Sequence, residues 1–143
     1  MAVCTFFGHR NCPVSVKPKL RAVLVELIER NGIDTFYVGH QGCFDDLALA
    51  VLRELTETHP YIAYNVVLER LPGRSDDPSL DFSLTIFPEG MEFAPPRFAI
   101  SRRNEWMLKR SDFVVTYITH GWGGAAQFAE KAMRQGKTVI NLA

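Results

Sequence analysis

Residues 112–132 constrain the fold more tightly than any other stretch, because a short apolar run, a glycine turn and an amphipathic helix succeed one another without a break. Phe113 to Ile118 is rich in β-branched and aromatic side chains, as in a strand covered on both faces of a parallel sheet. Gly121, Gly123 and Gly124 then let the backbone turn tightly and come close to a ligand, since residues without a Cβ accept positive φ and leave their amides uncovered. Ala125, Phe128, Ala129, Ala132 and Met133 recur at i, i+3, i+4, i+7 and i+8, the apolar stripe of a helix, and Gly136 supplies its stop. A helix start reached through such a turn presents free N–H groups and a positive dipole end to one point, which favours an anion such as phosphate.

The same alternation runs through the first half of the chain. A first strand is expected over 2–7, leaving through Gly8-His9-Arg10. Ser15 is placed to cap a helix carrying Leu20, Val23, Leu24, Leu27 and Ile28 as far as Asn31-Gly32, with Pro18 tolerated in its first turn. A second strand over 35–38 exits into Gly39-His40-Gln41-Gly42. Asp45 or Asp46 then caps a helix with the buried stripe Ala48, Val51, Leu52 and Leu55, which His59-Pro60 ends. With a third strand over 62–68, the βαβαβ order predicts a Rossmann-like three-layer α/β/α fold with a mainly parallel sheet. Residues 72–79 read as a polar turn-rich loop, and 82–87 as a short strand or an extended piece. Pro88-Glu89-Gly90 and Pro95-Pro96 interrupt the stretch over 88–96. A helix over 100–110 directs Trp106 and Met107 inward, and a final strand is expected over 138–142.

At 143 residues the chain is most simply a single domain spanning 1–143, large enough to bury a core without staples. Its 16 Lys+Arg balance 16 Asp+Glu, so no overall field is available to hold a polyanion, and a small ligand is expected in preference to nucleic acid. The chain has no apolar run of about 18 residues and no signal-peptide pattern at its start, which points to a cytoplasmic protein without a membrane partner. Cys4, Cys12 and Cys43 are an odd count without a CxxC, which fits reduced thiols.

In an open α/β sheet, ligands bind outside the carboxyl ends of the strands, near the point where strand order reverses. Three loops are expected at that edge, each pairing glycine with histidine. They supply Gly8, His9 and Arg10; Gly39, His40 and Gly42, with Asp45 just beyond; and His120, Gly121, Gly123 and Gly124. Neither GxGxxG nor the P-loop lysine pattern is present, which disfavours standard NAD binding and NTP hydrolysis. Arg102 and Arg103 form either a fork for a phosphate or a solvated helix face with Arg103 paired to a local acid. Asp45 suits ribose hydroxyls as well as a helix cap, and Trp122 suits a stacked base as well as a cover for the sheet edge. His9-x-x-Cys12 and His40-x-x-Cys43 also offer a His2Cys2 set for zinc. The spacing is not a standard zinc pattern, and packing cysteines with hydrogen-bonding histidines are the preferred reading, so no metal is assigned.

Taken in order, Gly8-His9-Arg10, Gly42-Cys43-Phe44-Asp45, Arg103-Asn104-Glu105-Trp106-Met107, Ser111-Asp112 and Gly123-Gly124 resemble the YpsA-like branch of the SLOG superfamily. That superfamily is named from the Smf/DprA DNA-processing proteins and the Lonely-Guy cytokinin-activating enzymes. The resemblance covers most of the chain. It implies a Rossmann-like fold, a nucleotide or nucleotide-derived ligand, and one site lined by the first glycine loop, Arg103-Asn104 and Gly123-Gly124. The Lonely-Guy enzymes cleave the N-glycosidic bond of nucleoside monophosphates and carry a PGGxGTxxE motif whose glutamate takes part in catalysis. Here the corresponding stretch has Ala125 in place of the threonine and Phe128 in place of that glutamate. Glu130 lies two residues further on, a rotation of roughly 200° around a helix. A binding or sensing module for a small nucleotide-like ligand is therefore expected, with no other cofactor assigned. The alternative is a nucleotide-processing enzyme acting on an N-glycosidic or phosphate bond, with a histidine or with Asp45, Glu89 or Glu105 as acid or base. Weak nucleic-acid binding is a third. The segment 88–96, with Met91 and Phe93 and few charges, is expected to offer a contact between copies in a homo-oligomer.

Overall fold

The computed structural model describes residues 2–71 and 84–143. The expected loop over 72–79, and the start of the expected strand over 82–87, lie outside the described residues. In chain order the elements are β1 (Ala2–Gly8), α1 (Val16–Asn31), β2 (Ile33–Val38), α2 (Cys43–Thr58), β3 (Ala63–Val67), β4 (Thr85–Ile86), a 3-10 turn (Met91–Phe93), α3 (Pro96–Arg110), β5 (Phe113–Tyr117), α4 (Gly124–Arg134) and β6 (Thr138–Asn141).

The six strands form one sheet in the order β4-β3-β2-β1-β5-β6, and every pairing is parallel. The chain steps outward from β1 to β4, then returns through α3 to β5 on the far side of β1. Right-handed crossovers running in opposite directions place their helices on opposite faces. Accordingly Cys4 and Phe6 of β1 pack with Leu20, Leu24 and Val51 of α1 and α2, while Phe7 packs with Met107 of α3 and Phe128 of α4. With both faces covered, β1 and β5 read as nearly continuous apolar runs. This is the α/β/α, Rossmann-like architecture expected from the strand–helix alternation.

Several local expectations change. Ser15 stands at the N-cap of α1 in helical geometry and makes no side-chain cap bond. Neither Asp45 nor Asp46 caps α2, which begins at Cys43 after Gly42. Gly42 has φ +97°, and a Cβ there would come within 2.7 Å of Arg10 Cα, so the close approach of two loops decides that helix start. Pro95-Pro96 begins α3 instead of interrupting it, because proline at a first helical position sacrifices only an orphan N–H. Along α4 the buried line is Ala126, Phe128, Ala129 and Ala132, while Met133 is 59% exposed. Met107 is buried as expected, but Trp106 is half-buried, edge-on to Tyr37 and covered by the Arg110 guanidinium at 4.0 Å. Met91 is buried, whereas Phe93 is 81% exposed. Among the described residues no helix is long and apolar enough to cross a membrane.

Candidate functional site

The reversal of strand order falls between β1 and β5. Their pairing runs to Gly8 opposite Tyr117 and is extended by His9 N–H donating to Tyr117 O at 3.2 Å. Beyond that point the chains turn to opposite faces of the sheet and leave a cleft of about 540 Å³, a size suited to a small molecule. One wall is the loop after β1, with Gly8, His9 and Arg10. The turn before α4, with Trp122, Gly123 and Gly124, forms a second. The third is one face of α3, where Ile100, Arg103, Asn104 and Met107 recur at i, i+3, i+4 and i+7.

The starts of α2 and α4 differ. At α2, Cys43 N–H donates to Arg10 O at 2.8 Å, and the Asp45 carboxylate accepts from Gln41 N–H at 2.9 Å, so the helix start is tied into the fold. At α4 the N-cap is Gly123, with no side-chain cap, and the first helical bond is Gln127 N–H to Gly123 O at 3.1 Å. The amides preceding Gln127 are the orphan donors every helix start leaves. Gly123 has φ +97°, which glycine accommodates. Gly121 and Gly124 have no positive φ, and a Cβ on any of the three would meet nothing within 4 Å. Gly8 and Gly39 are different. A Cβ on Gly8 would strike the Phe44 ring at 2.3 Å, and one on Gly39 would sit 2.9 Å from Asp45 Oδ2 and 3.0 Å from Arg103 Cζ. Packing therefore requires glycine at 8 and 39, while the space beside Gly121 and Gly124 is open.

Arg103 is 2% exposed although it lines the cleft. Its Nε donates to Asn104 Oδ1 at 2.8 Å, and its Nη1 donates to Val67 O at 3.1 Å and to Glu69 Oε2 at 3.4 Å. Glu69 Oε1 in turn accepts from Gln41 Nε2 at 3.0 Å. Nη2 has no hydrogen-bond partner among the described residues. Burial lowers the Arg103 pKa from its ordinary value, and Asp45 and Glu69 oppose that shift. Asp45 is the buried carboxyl of the cleft. Burial pushes it up to about 6, against the pull of Arg103 and of the Gln41 amide.

Three rings stack at the mouth. His9 and His120 lie 3.7 Å apart by ring centroids, and His120 and Trp122 lie 3.6 Å apart, with interplanar angles of 14° and 16°. His9 Nε2 accepts from Thr119 N–H at 3.0 Å. An amide can only donate, so that nitrogen carries no proton and His9 is neutral. Burial, and then the neighbouring His120, lower its pKa from the ordinary 6.5. His120 Nδ1 is buried without a partner among the described residues. Trp122 has one face on His120 and is nevertheless 71% exposed, so its other face is open.

Of the residues singled out from sequence, the cleft is lined by Gly8, His9, Arg10 and Asp45, by Arg103 and Asn104, and by His120, Gly123 and Gly124. Gly39 lies behind the Asp45 and Arg103 side chains, Gly42 holds two loops together, and His40 and Gly121 are exposed outside the lining. Gln41, Asn11, Thr119, Ile100 and Met107 line the cleft without carrying a sequence signal of their own as site residues. The last two are detectable as the α3 face that also carries Arg103. Glu105 is turned away, exposed beside Lys131 Nζ at 3.4 Å, and Glu130 is exposed 4.0 Å from Arg134 Nε. Glu89 is exposed outside the lining as well. The four zinc candidates divide, with Cys12 and Cys43 meeting each other and His9 stacked on His120. Among the described residues no three His, Cys, Asp or Glu side chains group to hold a metal.

No family model matches the chain, and no curated protein matches it. Among solved structures it is similar to DNA processing protein A (DprA) from Streptococcus pneumoniae, with a TM-score of 0.72 and 15% identity. That likeness covers 99% of this chain and 50% of the other, so the chain spans about half the length of DprA. What the two share is the fold, the Rossmann-like one that the sequence resemblance to Smf/DprA-related proteins implies.

Proposed function

We propose that the chain binds a small phosphorylated ligand, a nucleotide or nucleotide derivative, in the cleft between β1 and β5, as a cytoplasmic binding or sensing protein of the YpsA-like type. The observation that carries this reading is the start of α4, uncapped and with open space beside Gly123 and Gly124, where it meets a cleft walled by Arg103. Phosphate oxygens accept from the orphan amides at Gly124 and Ala125, and the helix dipole adds to the attraction. Arg103, held rigid by Asn104, Val67 and Glu69, offers Nη2 to the anion, and Arg10 adds an exposed charge at the rim. The open face of Trp122 suits a planar base. Native mass spectrometry of the purified chain, followed by calorimetry with nucleoside mono-, di- and triphosphates and inorganic phosphate, tests it. A co-purifying nucleotide, or saturable binding that Arg103→Gln weakens, is expected. Absence of binding across the whole panel would sink the reading.

Asp45 supports a second reading, an enzyme acting on the same ligand. A cleft carboxyl with its pKa at about 6 holds or releases a proton near neutrality, as a general acid or base must. Asp45 replaces Glu105 as the candidate, since Glu105 faces α4. Release of free base from a nucleoside monophosphate, lost in Asp45→Asn while binding persists, would establish turnover. Binding without turnover in the wild type leaves the sensor.

A further inference from the structure

Cys12, in the loop after β1, and Cys43, the first residue of α2, hold their sulfurs 3.0 Å apart. The Cys12 thiol donates to Cys43 Sγ, and the Cys43 thiol donates to Cys12 O at 3.1 Å. The backbone brings them together independently of the thiols. Cys43 N–H is bonded to Arg10 O at 2.8 Å, and Gly42 lies so close that a Cβ there would strike Arg10. Both cysteines are half-buried and free, within reach of a small reagent, whereas Cys4 is fully buried under α1 and α2. A disulfide requires the sulfurs to close to roughly 2 Å, a movement of about 1 Å here.

We infer that Cys12 and Cys43 form an oxidation site, closing to an intramolecular disulfide on exposure to a hydroperoxide. The bond ties the loop bearing His9 and Arg10 to the helix bearing Asp45, and so fixes one wall of the candidate cleft relative to its buried carboxyl. Burial, then the contact with Cys43, then the carboxylates of Asp45 and Asp46 push the Cys12 thiol up to about 12, so Cys12 stays protonated. Cys43, the first residue of α2, accepts the Cys12 S–H at its sulfur, which makes Cys43 the attacking sulfur and Cys12 the resolving one. Cys43 gives up its proton and its sulfur attacks the outer peroxide oxygen. The O–O bond breaks, and the leaving oxygen takes the proton, leaving a sulfenic acid on Cys43. Cys12 sulfur then attacks Cys43 sulfur, the S–O bond breaks, and the departing hydroxide leaves as water with the Cys12 proton. In sum, two thiols and one hydroperoxide give one disulfide, one alcohol or water from the peroxide, and one further water. The two electrons pass from the sulfurs to the peroxide oxygens.

The experiment uses the full chain, reduced, desalted and treated with a small molar excess of hydrogen peroxide, then alkylated under denaturing conditions and mapped by mass spectrometry. The expected product has lost two hydrogens, carries a peptide linking Cys12 to Cys43, keeps Cys4 open to alkylation, and reverts with dithiothreitol. Its melting temperature exceeds that of the reduced chain. Under the same treatment Cys12→Ser accumulates a sulfenic acid at Cys43 that dimedone traps, while Cys43→Ser leaves Cys12 as a thiol. The mapping of the native chain decides the matter even where a serine variant folds poorly. A disulfide involving Cys4, cross-linked chains, a sulfinic acid at Cys43 without the linkage, or three intact thiols would each overturn the inference.

Discussion

Asp45 and Arg103 reach the same point from opposite faces of the sheet. Asp45 belongs to α2 and Arg103 to α3, yet Asp45 Oδ2 and Arg103 Cζ lie 2.9 and 3.0 Å from where a Gly39 Cβ would stand. The end of β2 is thus the place where both helix layers close on the cleft, and it is glycine because two buried side chains already fill the volume a methyl would take.

Gly39→Ala should therefore cost about 1–3 kcal/mol, the range for forcing a methyl into packed surroundings. Urea unfolding with an unchanged m-value is the measurement. Wild-type stability in this variant would mean that the ends of the Asp45 and Arg103 side chains give way freely.

Asp45 also sets a pH dependence. Its carboxyl is held at about 6 by burial, against an ordinary 3.8, so between those values the folded chain keeps a proton that the unfolded chain has released. Stability on its account therefore falls as pH rises through that window and is lowest above it. The stability of wild type minus that of Asp45→Asn should drop by about 2 kcal/mol from pH 4 to pH 7. Unfolding curves at several pH values test this, and a difference that stays level would contradict it.

His9 should behave in the opposite sense. The fold holds it neutral through the Thr119 amide, with burial and His120 lowering its pKa, so its contribution is present near pH 7 and lost as pH falls below the ordinary 6.5. Ring nitrogen NMR shifts should show Nε2 without a proton and a titration midpoint below 6.5. A midpoint above that value would show that the stack tolerates the imidazolium.

Replacing the glycines before α4 separates folding from binding. Gly124→Ala meets open space without positive φ, so it should stabilise the chain by up to about 1 kcal/mol while weakening nucleotide binding on the order of tenfold. Gly123→Ala, at φ +97° and ψ 167°, a region essentially reserved for glycine, should destabilise by about 1–3 kcal/mol. Calorimetry with the tightest-binding member of the nucleotide panel, beside urea unfolding, reads both effects. Undiminished affinity in Gly124→Ala would remove phosphate from the helix start.

Much of the architecture is legible in the sequence because its signals are local. The run Val114-Val115 between glycine-free flanks, the stripe Ala48, Val51, Leu52 and Leu55, and the turn at Gly123-Gly124 each announce an element within a few residues. The start of α2 is illegible for the same reason. Asp45 has the chemistry of a cap, but the cap position is set by Gly42 pressed against Arg10, a contact between loops far apart in sequence. Pro95-Pro96 has the chemistry of a breaker, and the surrounding fold uses it as a helix start.

By itself, then, the sequence determined the succession of strands and helices, the parallel sheet, and the edge at which glycine loops gather, since periodicity and turn chemistry act between near neighbours. Only the tertiary structure decided which groups face one another there. It stacked His120 between His9 and Trp122, buried Arg103 against Val67 and Glu69, brought Asp45 to it from the opposite face, left His40 exposed outside the lining and turned Glu105 toward α4. Those placements arise from how α2, α3 and the loop after β5 close around one strand reversal, and packing at that range leaves no mark in the spacing of residues along the chain.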